Sequence, residues 1–208
     1  MTHVDGRDEG AARTAKGTRD RLVRAALDLF TTKGYHDSTT PQIAARAGVA
    51  EGTIYRHFAS KEQLFNEIFR AGLRMFAGGV GRVDQSTSCA ERLAQVSIEW
   101  QDLARRNPPL VRLVFTQDHG NTLDARSREA MLQLRAAIEQ LLAQGKAAGD
   151  VRAGSAATLA EVWMRLVALV LERVAKGEWQ PGDPASRQIT DSAWDAVRHQ
   201  AGQVEGNW

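Results

Sequence analysis

TPQIAARAGVAEGTIYRHFASK, residues Thr40 to Lys61, decides how the chain is read. Thr40 is placed to cap a helix, and Pro41 suits the first helical position, where its missing N–H would be unpaired in any case. Ile43, Ala44 and Ala47 share one helical face, and Gly48 offers the left-handed backbone that ends a helix without a Cβ clash. The spacing predicts a second short helix from about Glu51 to Phe58, with Ile54 and Phe58 four apart and turned inward. Two short helices across a glycine turn form a helix-turn-helix over about residues 40–59.

With Ile54 and Phe58 inside, Gly52, Thr53, Tyr55, Arg56 and His57 remain on the outer face. Gly52 allows close approach of another backbone, and Tyr55, Arg56 and His57 are types that reach phosphate oxygens and guanine edges in a major groove. Arg56 is the best placed for guanine. Glu51 either accepts from a cytosine amino group or points away. Ser60 with Gln63 three residues on predicts a capped third helix, and Lys61 falls in its positive first turn, where a phosphate is favoured.

Working outward, the run from Gly34 to Phe65, GYHDSTTPQIAARAGVAEGTIYRHFASKEQLF, resembles the DNA-binding domain of TetR-type transcriptional regulators. The shared features are the Ala-Gly-Val turn, the Thr-Ile-Tyr-Arg-His-Phe helix and the Ser-Lys-Glu-Gln-Leu-Phe start of the next helix. With Arg19 to Lys33 as the preceding helix, the resemblance covers roughly the first third of the chain. It implies that Thr40, Tyr55, His57 and Lys61 anchor phosphates while Glu51, Gly52, Thr53 and Arg56 line the face that meets bases. It also implies a carboxy-terminal domain that binds a small effector. Ala50 departs from the family's usual capping serine or threonine, and Glu51 adds a negative charge beside the DNA surface.

At 208 residues and 43% hydrophobic, the chain can bury a sizeable core. Residues 16–61 hold eight Lys/Arg against four Asp/Glu, a net of +4, whereas residues 77–208 hold fifteen against sixteen, a net of −1. The front is therefore the basic end. A single cysteine, Cys89, makes no internal disulfide, and no apolar run approaches the ~20 residues of a membrane span or follows a signal-peptide pattern. A cytoplasmic protein without membrane contact is expected.

Residues 1–15 lack apolar periodicity and read as a mobile arm, either a plain tail or a basic arm reaching a minor groove through Arg7, Arg13 and the adjoining Lys16. Residues 16–76 read as the DNA-binding domain, starting with the helix that carries Leu22, Ala25, Ala26, Leu29 and Phe30. The helix after Ser60 carries Leu64, Phe65, Ile68, Phe69, Leu73 and Phe76, and Gly78, Gly79 and Gly81 are expected to break it, placing a boundary near Phe76. Residues 77–208 then read as a ligand-binding and dimerisation domain. Its helices are expected over 90–106, 110–115, 123–148, 156–175 and 184–199. The helix over 156–175 is apolar beyond one stripe, so it and the last helix suit pairing of two copies in a four-helix interface. No convincing strand occurs, and the fold class is all-α.

Catalytic spacing is absent: the five histidines are scattered, and there is no His-Glu-x-x-His, Cys-x-x-Cys, nucleophile elbow or dinucleotide fingerprint. No enzyme activity, cofactor or metal is expected. Asp118-His119 is either a metal or proton-transfer pair or a solvated turn, and Cys89 reads as an inert thiol. Trp100, Phe115, Met131, Leu134, Trp163 and Met164, with Gln117, His119 and Glu161 near the ends, are candidates for an effector pocket, though composition alone equally fits a filled core. The function expected is a homodimeric, sequence-specific DNA-binding regulator, a repressor released from an inverted-repeat operator by a small, partly hydrophobic effector. The alternatives are a ligand-dependent activator on the same fold, or a helical small-molecule carrier or an interaction module without an effector.

Overall fold

The computed structural model describes residues 6–199 except 118, and these form α-helices joined by short turns, with one isolated backbone bridge between Val151 and Arg198. The all-α class expected from the sequence is what the chain adopts. The helices are α1 (Gly6–Thr32), α2 (Thr40–Ala47), α3 (Glu51–Ile54), α4 (Lys61–Gly81), α5 (Cys89–Arg106), α6 (Pro108–Val111), α7 (Ala125–Ala148), α8 (Ala156–Ala175) and α9 (Pro184–Asp195). None is long and apolar enough to cross a membrane among the described residues.

Backbone contacts divide the chain into two compact units. The first comprises residues up to Phe69 together with Gly120–Thr122, and the second comprises Arg70–His119 and everything from Leu123 onward. The division falls within α4, earlier than the boundary near Phe76 that the glycines suggested.

In the first unit, Leu22, Ala26 and Phe30 of α1, Ile43 and Ala44 of α2, Ile54 and Phe58, and Leu64, Phe65 and Phe69 of α4 are almost wholly buried. The Phe65 ring meets Phe30 edge-on at 5.4 Å and Tyr35 at 5.0 Å, the geometry that aromatic quadrupoles favour. Asn66, also buried, donates its amide to Thr122 O at 2.9 Å, which fastens the Gly120–Thr122 segment to this unit.

Two expectations here need correcting. The α2 cap is Thr39, not Thr40: its hydroxyl accepts from Gln42 N–H while the Gln42 side chain accepts from Thr39 N–H, a reciprocal pair that Thr40 cannot form with Ile43. Thr40 is instead the first helical residue. The arm read over residues 1–15 is helical from Gly6, continuous with the packed part of α1, because adding a residue to an existing helix needs no new nucleus. Residues 1–5 lie outside those described.

In the second unit, α8 packs against α5, α6, α7 and α9 and buries Leu159, Trp163, Val167, Val170 and Leu171. Ser88 and Glu91 form a capping box at the start of α5, and Asp124, Ser155 and Asp183 cap α7, α8 and α9. The glycines after Phe76 do not break α4. A Cβ on Gly79 would lie 3.1 Å from the Trp100 indole, and Trp100 Nε1 donates to Phe76 O at 2.8 Å, so the glycine admits the ring against the helix backbone. The apolar stretch expected over 110–115 is helical but changes pitch, passing from α6 into a π-helical stretch, Arg112–Thr116. α9 ends at Asp195, short of His199, and the chain beyond it pairs with the α7–α8 turn through Arg152 N–H to Val197 O and His199 N–H to Asp150 O.

Candidate nucleic-acid interface and ligand cleft

The candidate reading surface, residues 40–61, lies wholly in the first unit. Gly48, at φ 66° and ψ 41°, ends α2 in the left-handed conformation, and Val49 N–H returns to Ala44 O. Helix α3 then starts at Glu51 behind Ala50, which offers no side-chain cap, in keeping with its departure from the family pattern. The α-helical part is shorter than the Glu51–Phe58 span expected and ends at Ile54. Arg56 N–H donates to Thr53 O and His57 N–H to Ile54 O, the tighter i to i−3 bonding common at helix ends. Phe58 N–H still reaches Ile54 O at 2.9 Å, so Ile54 and Phe58 both face inward at 2% exposure.

That tightened turn leaves Tyr55 55% exposed, Arg56 exposed and His57 half-buried. The Tyr55 hydroxyl lies 3.1 Å from Thr40 Oγ1, which joins the first residue of α2 to the end of α3 and sets two hydroxyls side by side. Glu51 and Gly52 are exposed and Thr53 half-buried. A Cβ on Gly52 would meet nothing within 4 Å, so nothing inside the chain requires glycine there.

Lys61 is placed differently from the free phosphate donor expected. Its Nζ donates to Tyr35 O and Ser38 O, both at 2.8 Å, and lies 4.2 Å from the centre of the Tyr35 ring. Burial lowers its pKa from the ordinary lysine value, against the opposing charge of Asp37. Burial likewise raises the Tyr35 phenol, helped by the charge of Glu62.

The second unit holds an apolar cleft of about 80 Å³, walled by Leu73, Val114, Phe115, Met131, Leu134, Met164 and Ala168, with Arg135, Glu161 and Arg165 among its lining. Glu161 accepts from Arg165 Nε at 2.8 Å and lies 3.7 Å from Arg135 Nη1, so one carboxylate stands between two guanidinium groups. A larger groove of about 370 Å³, lined by Leu132, Ala136, Ala157 and Ala160, shares Arg135, Glu161 and Met164 with it.

Of the nine pocket candidates, Phe115, Met131, Leu134, Glu161 and Met164 line the cleft. Trp100 and Trp163 do not. They are fully buried, 5.9 Å apart, and Trp100 lies 5.7 Å from Phe115, so they fill the interior behind the cleft wall. Trp100 instead lines a separate depression with Met75, Arg82 and Glu99. Gln117 and His119 are also absent from the cleft lining: Gln117 N–H closes the π-helical stretch on Arg112 O, and His119 Nε2 pairs with Leu113 O. Asp118 lies outside the described residues. Cys89 is buried and its thiol pKa is raised, first by burial. Arg135 and Arg165 were missed, although each sits one helical turn beyond a chosen residue, Met131 and Glu161, on the same face.

Residues 22–68 match the family described as bacterial regulatory proteins, tetR family. The HTH-type transcriptional repressor KstR2 of Mycolicibacterium smegmatis is 30% identical over 185 residues, covering 86% of this chain and 78% of that protein. The fatty acid metabolism regulator protein of Bacillus subtilis is 25% identical over 137 residues, covering 64% of this chain and 71% of that one. The match to the HTH-type transcriptional activator FasR of M. smegmatis is 28% identical over 102 residues and spans less than half the length of either protein, 49% of this chain and 47% of that one. Among solved structures, a TetR family transcription regulator from Marinobacter aquaeolei superposes with a TM-score of 0.75 at 19% identity, over 91% of this chain and 100% of the other.

Proposed function

The chain belongs to the TetR family of bacterial regulatory proteins and is a DNA-binding regulator of transcription, and from that premise we propose a homodimeric repressor that a small molecule releases from a pseudo-palindromic operator. The observation that carries the DNA side is the exposed patch on which the Thr40–Tyr55 hydroxyl pair, Arg56 and the open backbone of Gly52 occur together. Thr40, Tyr55 and His57 are assigned to phosphates, and Glu51, Gly52, Thr53 and Arg56 to the face that meets bases, with Arg56 the guanine reader.

Dimerisation is assigned to α8 and α9. Val162 and Leu169 of α8 are 36% and 38% exposed, apolar side chains one would expect to be covered by a second copy. Two reading heads related by a two-fold axis recognise half-sites about one DNA turn (~34 Å) apart or a multiple of it.

The cleft supports an effector with a hydrocarbon body and an anionic group, the first for its Leu, Met and Phe walls and the second for the guanidinium groups of Arg135 and Arg165. Similarity to a fatty acid metabolism regulator supports the same class. Because drug-sized ligands occupy about 300–1,000 Å³, such a molecule extends into the groove beyond the Arg135–Glu161 pair or widens the cleft. A ligand that binds only the conformation with misplaced heads lowers DNA affinity, and DNA lowers ligand affinity by the same factor. A ligand-dependent activator is the second reading, favoured by the match to FasR.

Selection of bound sequences from a random duplex pool at near-physiological salt tests this. The expected product is an inverted repeat, released by fatty acids. No enrichment over bulk DNA would count against autonomous operator recognition, and a repeat bound only with added ligand would favour the activator.

A further inference from the structure

We propose that Lys61 is a positioning residue for DNA binding, holding the Tyr35–Ser38 loop and through it the start of α2, and that it does not grip a phosphate. An ammonium group has three donors. Two of them are spent on Tyr35 O and Ser38 O, each 2.8 Å away, and the Tyr35 ring covers the third side, its centre 4.2 Å from Nζ. That ring is wedged in turn against Phe30 at 5.6 Å and Phe65 at 5.0 Å.

The loop so held leads directly to the reading surface. Ser38 is fully buried and donates its hydroxyl to Gly34 O at 2.7 Å. The next residue, Thr39, caps α2, and the one after it, Thr40, carries the hydroxyl that meets Tyr55. For Lys61 to reach a phosphate it would have to release one of these part-buried carbonyls, and a carbonyl left without a donor away from water is costly. The Asp37 charge nearby further weakens its pull on an anion. Lys61 therefore contributes geometry, and its charge is used inside the protein.

The test uses full-length Lys61→Met, which keeps the apolar stem and removes the charge, with a random-sequence duplex as the probe. A phosphate contact contributes about one unit to the slope of log affinity against log salt. The expected result is a severalfold loss of affinity with an unchanged slope, together with faster amide exchange at residues 35–39. A slope lower by about one unit or more, or loop exchange and affinity both unchanged, would overturn the proposal. Reductive methylation of the unaltered protein, read by mass spectrometry, stands independently of whether the variant folds. Lys61 should resist modification equally with and without duplex, whereas a lysine that is reactive when free and protected only by DNA would be a phosphate anchor. Failure of the unaltered protein to bind any duplex would instead count against the regulator reading.

Discussion

Around Thr40 and Tyr55, polar side chains stand on a frame fixed by the Thr39 capping box, the left-handed Gly48 and the buried pair Ile54 and Phe58. Around the cleft, Met131, Leu134 and Met164 hang from long helices, and the charged groups beside them are largely exposed and paired mainly with one another. On the proposed function, the first surface meets a ligand of constant shape, the DNA backbone, so little ordering would remain to be done on binding. The second has unbranched thioether side chains that repack around different shapes, and exposed ion pairs that cost little to rearrange. The repressor proposed above needs both, one surface for its operator and one for the ligand that would release it.

The contrast is tested most severely at Phe58, which is 2% exposed and lies beneath the Arg19 guanidinium at 5.0 Å. Phe58→Ala should cost about 3–5 kcal/mol and abolish duplex binding. All five tryptophans lie beyond residue 99, so tryptophan fluorescence reports the second unit and should keep its melting transition. Joint loss of the two signals would break the division into units.

The converse change is Gly145→Ala in α7. A Cβ there would lie 2.5 Å from Cys89 Sγ and 2.8 Å from Val151 Cγ2, and overpacking of this kind costs about 1–3 kcal/mol. The fluorescence melt should fall while duplex affinity, measured well below the transition, holds. Smallest in energy is Gly52→Ala, where the added methyl meets nothing within 4 Å. It should stabilise the fold by about 0.4–1 kcal/mol in a denaturant titration and yet weaken duplex binding. Stabilisation with unchanged affinity would remove Gly52 from the contact surface.

How much could be read in advance follows the same divide. The helix-turn-helix was legible because its rules are local: a cap, a glycine stop and an i, i+4 buried pair. The cap at Thr39 is also legible locally, since Gln42 completes a capping box with Thr39 and not with Thr40. The glycines after Phe76 misled because what they serve, the close approach of Trp100, lies in another helix. The π-helical stretch left no mark, since five residues are too few to reveal a changed period. In the cleft, composition marked large apolar side chains but not which fill and which line. Trp163 fills and Trp100 lines a different depression, and only packing decides that. The lysine at 61 was legible as a cation, but the two carbonyls that occupy it were not.

The most direct measurement is to run the random-duplex selection on the unaltered protein and on Arg56→Ala side by side. Arg56 is exposed and borders both Tyr55 and the α3 turn, so its loss should leave the fold intact and remove one base reading per half-site. The expected result is the same inverted repeat with one position per half-site relaxed, at a cost of about 1–3 kcal/mol. An identical preference at every position, or no repeat from the unaltered protein, would contradict the claim that this short turn of helix reads DNA.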